Sequence, residues 1–99
     1  MRILSLPTLK NFFETPSYAD AKAPLLTWRG FVLKAKWSGP ADVKADFGNA
    51  SILKDGRVVC NIAGNKYRLV TSINYPYGIV FIKFVGTHKQ YDAIDAQTI

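Results

Sequence analysis

The sequence predicts an α+β fold, with N-terminal helices packed on an antiparallel sheet of three to four strands and a short C-terminal helix. Three observations predict this class. The chain has 99 residues and is 48% hydrophobic, which is typical of one compact domain spanning residues 1–99. Apolar residues recur at helical spacing before residue 51 and alternate with polar residues after it. Helices followed by a run of strands are typical of the α+β class.

The chain opens with a possible short strand, Arg2–Leu4, and a helix that Ser5 can cap and that ends near Glu14. A separate short helix is expected from Gly39 through Phe47, because proline directly after glycine suits a helix start. These two helices flank the longest helical pattern in the chain.

That longest pattern begins with Ser17 and, three residues later, Asp20, which have the spacing of a capping box. Pro24 interrupts the pattern, so the helix either kinks there or properly begins there with proline in its first turn. The apolar residues at helical spacing are Tyr18, Ala21, Leu25, Trp28, Val32 and Leu33.

After residue 51, turn sequences of the hairpin type separate four predicted strands. The turns contain Asp55-Gly56, Gly64-Asn65 and Pro76-Tyr77-Gly78. The strands cover about residues 51–53, 57–62, 66–75 and 79–85, and all are expected to be antiparallel because the connections are too short for crossovers. Thr87 and Gln90 then have capping-box spacing, which predicts a terminal helix.

Charge limits the classes of partner. Thirteen Lys and Arg residues against seven Asp and Glu residues give a net charge of +6, which favours nucleic acid or an acidic protein as partner. A solvated positive surface without a partner would give the same composition. The sequence shows no carboxylate cluster, no histidine-rich spacing and no Gly-rich phosphate loop, so neither a metal nor a cofactor is expected.

Cys60 is the only cysteine, which excludes an internal disulfide and indicates a reducing compartment. It alternates with Val58 and Ile62 in a predicted strand, so we expect a buried small hydrophobe and not a nucleophile. No apolar run has the length of a membrane span, and the N-terminus has no signal-peptide pattern. A cytoplasmic location without membrane contact is therefore expected.

The predicted strand 66–75 contains the first candidate site residues. Strand alternation places Tyr67 on the core face, with Lys66 and Arg68 together on the opposite face. Two cations one strand period apart, about 6 to 7 Å, would suit successive phosphates of a nucleic acid. Charged residues on the wet face of a sheet would give the same pattern.

Lys83 is the one charge in the next predicted strand, and the strand register decides its side of the sheet. If Tyr75 pairs with Gly78, Lys83 lies opposite Val70 on the face of Arg68; if Tyr75 pairs with Ile79, Lys83 points to the core. We expect the first register, because burying an unpaired ammonium is costly.

His88, the only histidine, falls in the first turn of the predicted terminal helix, directly after the strand with Lys83. A helix N-terminus favours anions, so a phosphate and an imidazole could meet there. A lone surface histidine is the alternative.

The residues after His88 include further candidates, Lys89, Tyr91 and Asp92. Asp92 could orient His88, and Tyr91 could stack on a base, donate a proton or pack against the sheet. Such groups can supply what RNA cleavage without a metal needs: activation of the 2′-hydroxyl, stabilisation of the phosphate charge and protonation of the leaving oxygen.

Two stretches carry a family resemblance. Residues 55–70 read DGRVVCNIAGNKYRLV and residues 84–92 read FVGTHKQYD, and both resemble the signatures of HigB-type toxins. Trp37 followed by residues 40–44, PADVK, also fits the family. The resemblance implies a RelE-like fold and an mRNA endonuclease that acts on translating ribosomes, with mRNA in the ribosomal A site. It also implies inhibition by a HigA-type antitoxin with a helix-turn-helix domain.

Carried over by position, the resemblance gives roles to individual residues. It implies that Arg68, His88, Lys66 and Tyr91 are catalytic, with Lys66 and Arg68 as phosphate and transition-state cations and His88 as the acid or base. Contacts to RNA are expected from Lys83, Lys89 and Asn65. Position 83 departs from the family pattern, in which arginine is usual; lysine keeps the charge but loses bidentate geometry.

Two other functions remain open at this level. RelE-like folds also occur in ParE-type toxins that bind and poison gyrase without being enzymes, since a fold does not determine function. An RNA- or ribosome-binding module without catalysis would share the basic surface. Truncated cellular mRNA would indicate the nuclease, and DNA damage would indicate the gyrase inhibitor.

Overall fold

A computed structural model describes residues 1–99. The helical elements are α1 (Leu6–Phe13), a 3₁₀ segment (Pro16–Ala21), α2 (Lys22–Lys34), α3 (Pro40–Asp46) and α4 (His88–Asp92). The strands are β1 (Arg2–Leu4), β2 (Ser51–Ile52), β3 (Arg57–Ile62), β4 (Tyr67–Asn74) and β5 (Ile79–Thr87). The predicted α+β class is confirmed, including the short C-terminal helix.

The sheet has five strands in the order β1-β5-β4-β3-β2, one more than the three to four predicted. Strands β2 to β5 form the predicted antiparallel meander. The expectation of an entirely antiparallel sheet is wrong, because β1 pairs with β5 in parallel, with Arg2 opposite Ile79. A parallel neighbour needs a long connection, and here the first helices and strands β2 to β4 lie between the two strands.

The helices cover one face of the sheet and form the main core. Buried residues from α2, such as Leu25, Trp28 and Val32, join those from the inner face of β3, β4 and β5. Tyr67 is 1% exposed and Leu69 is fully buried, as alternation predicted. A second, smaller cluster on the other face consists of Val59, Val70 and Ala96, with Phe84, Tyr91 and Ile94 packed against it. The C-terminal segment therefore covers part of the outer face.

Two predicted helix starts differ from the structure. Ser5 precedes α1 as expected, but its φ of 70° is left-handed and its side chain makes no capping hydrogen bond. The Ser17–Asp20 capping box is absent: these residues lie in the 3₁₀ segment, and α2 begins at Lys22 with Pro24 in its first turn. The second of the two alternatives for Pro24 is thus confirmed, because a proline in the first turn forfeits no helical hydrogen bond.

Strand β4 is shorter than predicted at both ends, and this matters for the site. The strand runs from Tyr67 to Asn74, so Lys66 lies in the β3–β4 turn and not in the strand.

None of the helices is long and apolar enough to cross a membrane.

Candidate active site

The pairing of β4 with β5 brings Arg68 to the start of α4. Arg68 is opposite Gly86, and Tyr67 is opposite Thr87, which directly precedes His88. The Arg68 guanidinium donates to the carbonyl oxygens of Asn65 at 3.0 Å and of Tyr67 at 3.4 Å. Arg68 is half-buried, so the β3–β4 turn holds its guanidinium while leaving part of it open to solvent.

The start of α4 is fixed by the capping box predicted from Thr87 and Gln90. The Thr87 hydroxyl accepts from the Gln90 backbone N–H at 3.1 Å, and the Gln90 side-chain oxygen accepts from the Thr87 N–H at 2.8 Å. The two hydrogen bonds satisfy donors that a helix start leaves free. His88 is therefore the first residue of a well-defined helical turn.

His88 is paired with a carboxylate within α4. Its Nδ1 lies 3.1 Å from Oδ2 of Asp92, and the two side chains are 57% and 61% exposed. Residues four apart lie on one helix face, which places the groups in contact. The orienting role considered for Asp92 thus has a suitable geometry, and the other imidazole nitrogen is left without a protein partner in the hydrogen bonds of the structure.

Lys66 is not beside Arg68 on the outer face, and the prediction of two aligned strand cations is wrong. Lys66 lies in the turn, where its ammonium pairs with the carboxylate of Asp20. The Tyr67 hydroxyl donates to the other oxygen of the same carboxylate. Hydrogen bonds from Lys66 and then Tyr67 lower the pKa of Asp20, and the bond to Asp20 raises the pKa of Lys66.

Lys83 lies at an irregularity in β5. Val70 is opposite Phe84, whereas Thr71 is opposite Ile82, so Lys83 is an extra residue in a β-bulge. Asn74 pairs with Ile79, which is the register that places Lys83 away from the core. Lys83 is exposed, as expected. The predicted pairing of Lys83 with Val70 is wrong, because the bulge places Phe84 opposite Val70.

The remaining predicted residues surround this end of the sheet. Lys89 is exposed in α4. Tyr91 is half-buried and packs on the cluster of Val59, Val70 and Ala96, as one of its alternatives predicted. Asn65 is in the β3–β4 turn, and its side-chain oxygen accepts from the Asn61 amide at 3.3 Å.

Sequence reasoning missed two contributors from outside the two signatures, and a contact of Gln90 within them. Asp20 was interpreted as part of a capping box but binds Lys66, 46 residues away. Tyr18 was interpreted as a helix-face residue, but its hydroxyl accepts from the Gln90 side-chain amide at 3.2 Å. Gln90 was noted only for capping. A local pattern contains no signal for contacts between distant segments. No group of three or more His, Cys, Asp or Glu side chains is arranged to hold a metal ion.

The fold and this site define a class of small α+β protein with a solvent-open cationic site where a β-hairpin meets a short capped helix. Residues 21–94 match the family model described as HigB_toxin, the RelE-like toxic component of a toxin–antitoxin system. Because the match covers most of the chain, the protein belongs to the HigB toxin family, and an antitoxin is its implied partner.

Curated relatives extend the similarity over nearly the whole chain. The chain is 29% identical over 98 residues to "mRNA interferase toxin HigB" of Escherichia coli (strain K12), covering 97% of this chain and 92% of the relative. Relatives named "mRNA interferase HigB" from Escherichia coli O157:H7 and Shigella flexneri match with the same identity and coverage.

Proposed function

We propose that this chain is a metal-independent endoribonuclease that cleaves mRNA and thereby inhibits translation and growth. One observation carries the proposal. Arg68 lies opposite Gly86, two residues before His88, so a permanent cation and an imidazole paired with a carboxylate occupy the same open end of the sheet. The name mRNA interferase, which the three relatives share, supports the same activity.

The chemistry assigned to these residues is transesterification at one phosphate. The 2′-oxygen attacks phosphorus, the bond to the 5′-oxygen breaks, and a cyclic 2′,3′-phosphate and a 5′-hydroxyl result. The proton leaves the 2′-hydroxyl for a base, and an acid returns a proton to the 5′-oxygen. Arg68 stabilises the extra negative charge of the pentavalent phosphate, for which the planar guanidinium has suitable geometry.

His88 acts as the acid or the base through the nitrogen that does not face Asp92. Tyr91 is the second proton-transfer candidate and Lys66 the second cation, whereas Lys83, Lys89 and Asn65 contact the RNA on either side. The positive net charge of the chain, +6, attracts the RNA strand to the protein.

We further propose that the substrate is mRNA in the ribosomal A site, within the cytoplasm. The antitoxin is a HigA-type protein with a helix-turn-helix domain, and its acidic or apolar segments cover the basic surface or a surface coupled to it. Charge complementarity of this kind makes association salt-sensitive.

The test compares Arg68→Ala and His88→Ala with the wild type in a purified translation system that reports mRNA cleavage. Arg29→Ala is the matched control, because Arg29 is an exposed arginine of α2 on the helical side. Each site variant is expected to lose about 10² to 10⁴ in rate, the range for general acid–base and charge-stabilising groups. Full activity of both variants with retained folding contradicts the site assignment.

Three further experiments test the independence from metal, the need for ribosomes and the two alternative functions. Cleavage in the translation system whose rate stays unchanged when magnesium is varied over the range in which ribosomes stay intact, and when a chelator removes transition metals, supports metal independence. Cleavage of mRNA only when ribosomes are present supports the A-site proposal. DNA damage with intact transcripts after induction would favour the gyrase inhibitor, and ribosome association with intact transcripts would favour a binding module.

A further inference from the structure

The 3₁₀ segment Pro16–Ala21 contacts both halves of the candidate active site. Its Asp20 binds the β3–β4 turn through Lys66, and its Tyr18 binds the α4 start through Gln90. Asp20 and Tyr18 lie before residues 21–94, which the family model matches. These contacts connect the N-terminal helical layer to the β3–β4 turn and to α4, the two elements whose side chains are proposed to act on the RNA.

The Asp20 carboxylate has a fixed position because one of its oxygens is bound to a core residue. The Tyr67 hydroxyl donates to Oδ1, and the Tyr67 side chain is almost fully buried. The other oxygen, Oδ2, pairs with Lys66, whose side chain is 59% exposed. An exposed ion pair contributes little to folding stability, so the main consequence of this pair is the direction in which Lys66 points. Without the carboxylate, the flexible lysine would lose that direction.

Tyr18 is held by other aromatic rings. Its ring stacks on Phe12 with centroids 4.4 Å apart, and it meets Tyr67 edge-on at 6.1 Å. The hydroxyl is thereby aimed at the Gln90 amide nitrogen, at 3.2 Å. The same Gln90 side chain accepts from the Thr87 N–H through its oxygen, so Tyr18 fixes the group that caps α4 immediately before His88.

We propose that Asp20 and Tyr18 are positioning residues for RNA cleavage: Asp20 orients Lys66, and Tyr18, through Gln90, orients the first turn of α4 and with it His88. This inference rests on the function proposed above. Neither residue reacts with the RNA, and both act through a residue that does. One short segment thus aligns a cation from the β3–β4 turn with an imidazole from α4.

The activity test uses Asp20→Asn and Tyr18→Phe, which remove a charge or a hydroxyl while retaining shape. The matched controls are Asp55→Asn and Tyr77→Phe, at exposed positions in the β2–β3 and β4–β5 turns. For each site variant, kcat is expected to fall about 10-fold, because misplacing catalytic groups slows the reaction more than it weakens binding. The KM is expected to change less than about twofold, because the charges that attract the RNA remain.

Rescue and stability measurements separate positioning from a structural role. Asp20→Glu keeps a carboxylate within reach of Lys66 and should recover most of the kcat lost in Asp20→Asn. Urea midpoints of all variants should match the wild type closely. An unchanged kcat overturns the proposal, as does a higher kcat in Asp20→Asn, which would mean that Asp20 withholds Lys66 from the substrate. A loss of kcat that follows a lowered urea midpoint also overturns it.

An amide-exchange measurement on the free protein distinguishes this proposal from the proposed function. The Thr87 and Gln90 backbone N–H groups, both bonded in the capping box, should exchange at least about threefold faster in Tyr18→Phe than in Tyr77→Phe. If the wild type cleaves no RNA, the proposed function fails, and faster exchange still supports alignment of α4 by Tyr18. Unchanged exchange overturns the positioning role whether or not RNA is cleaved.

Discussion

In α4, Nδ1 of His88 lies 3.1 Å from Oδ2 of Asp92, one helical turn further along the chain. A carboxylate can only accept a hydrogen bond, so this contact requires the proton to be on Nδ1. Nε2 of a neutral imidazole is then the free acceptor. With its proton on Nδ1, a neutral His88 leaves Nε2 open, which suits the role of base among the two roles proposed for it.

Asp92→Asn tests that relationship. The amide keeps the shape but can donate as well as accept, so it no longer specifies the tautomer of His88. Because both side chains are exposed, we expect a modest effect: kcat falls about 3- to 10-fold, less than for loss of the histidine itself. Single-turnover cleavage of mRNA in the purified translation system measures it. A wild-type rate in Asp92→Asn, with His88→Ala inactive, would mean that the carboxylate has no part in catalysis.

Lys83 in the β-bulge is predicted to contact a phosphate of the bound RNA. Lys83→Ala should reduce the slope of log affinity against log salt by about one, and Lys83→Arg should leave that slope unchanged. Binding is measured with a 2′-O-methyl RNA, which lacks the attacking hydroxyl. Lys34→Ala, an exposed lysine at the end of α2, is the control. An equal slope in Lys83→Ala and Lys34→Ala contradicts the contact.

Gly56 is predicted to be essential for the hairpin between β2 and β3. Its φ is +77°, and a Cβ there would overlap the carbonyl oxygen of Ile73. Gly56→Ala should therefore lower the free energy of unfolding by about 1 to 3 kcal/mol or more. Gly30→Ala is the paired control: it is in α2 with nothing within 4 Å of the new methyl, and should stabilise by about 0.5 to 1 kcal/mol. Urea unfolding measures both, and a loss of stability in Gly30→Ala would refute the helix argument.

Because Cys60 is buried, we expect the folding stability of the protein to fall at high pH. Burial raises the pKa of the Cys60 thiol from 9.0 to about 11. The folded state thus holds the proton more tightly than the unfolded chain, and this stabilising contribution is fully present below pH 9.0 and lost between pH 9.0 and about 11. It amounts to roughly 2 to 3 kcal/mol for a shift of this size. The free energy of unfolding, measured with urea from pH 8 to 10.5, should decline less steeply with pH in Cys60→Ala than in the wild type. Identical slopes in the two proteins would contradict this prediction.

The meander could be predicted from sequence because its signals are local. Alternation and hairpin turns placed β3 at Arg57–Ile62, as the structure has it, and the capping box placed α4 after Thr87. The pairing of β1 with β5 could not be predicted in this way, because three apolar-rich residues at one end of a chain do not specify a partner near the other.

The same distinction between local and distant signals applies to the residues of the candidate active site. Arg68, Lys83 and His88 could be placed from alternation, register and capping, which are properties of one element or one hairpin. Lys66 was wrongly predicted to lie in β4, because the β3–β4 turn extends one residue further than the Gly64-Asn65 pair in that turn indicated. Its true partner, Asp20, belongs to a segment distant in sequence, and so does the Tyr18 hydroxyl that binds Gln90. Contacts of this kind exist only after the helical layer has packed on the sheet.

The parallel pairing of β1 with β5 also determines when the sheet can be completed during folding. Arg2 pairs with Ile79, so the helices and strands β2 to β4 lie between the two partners in the chain. Such a non-local pairing closes slowly and only after the intervening chain is available. The edge of β5 stays open until then, and the segment that follows it provides His88. The slow, non-local step of folding therefore closes the edge of the same strand that leads into the candidate active site.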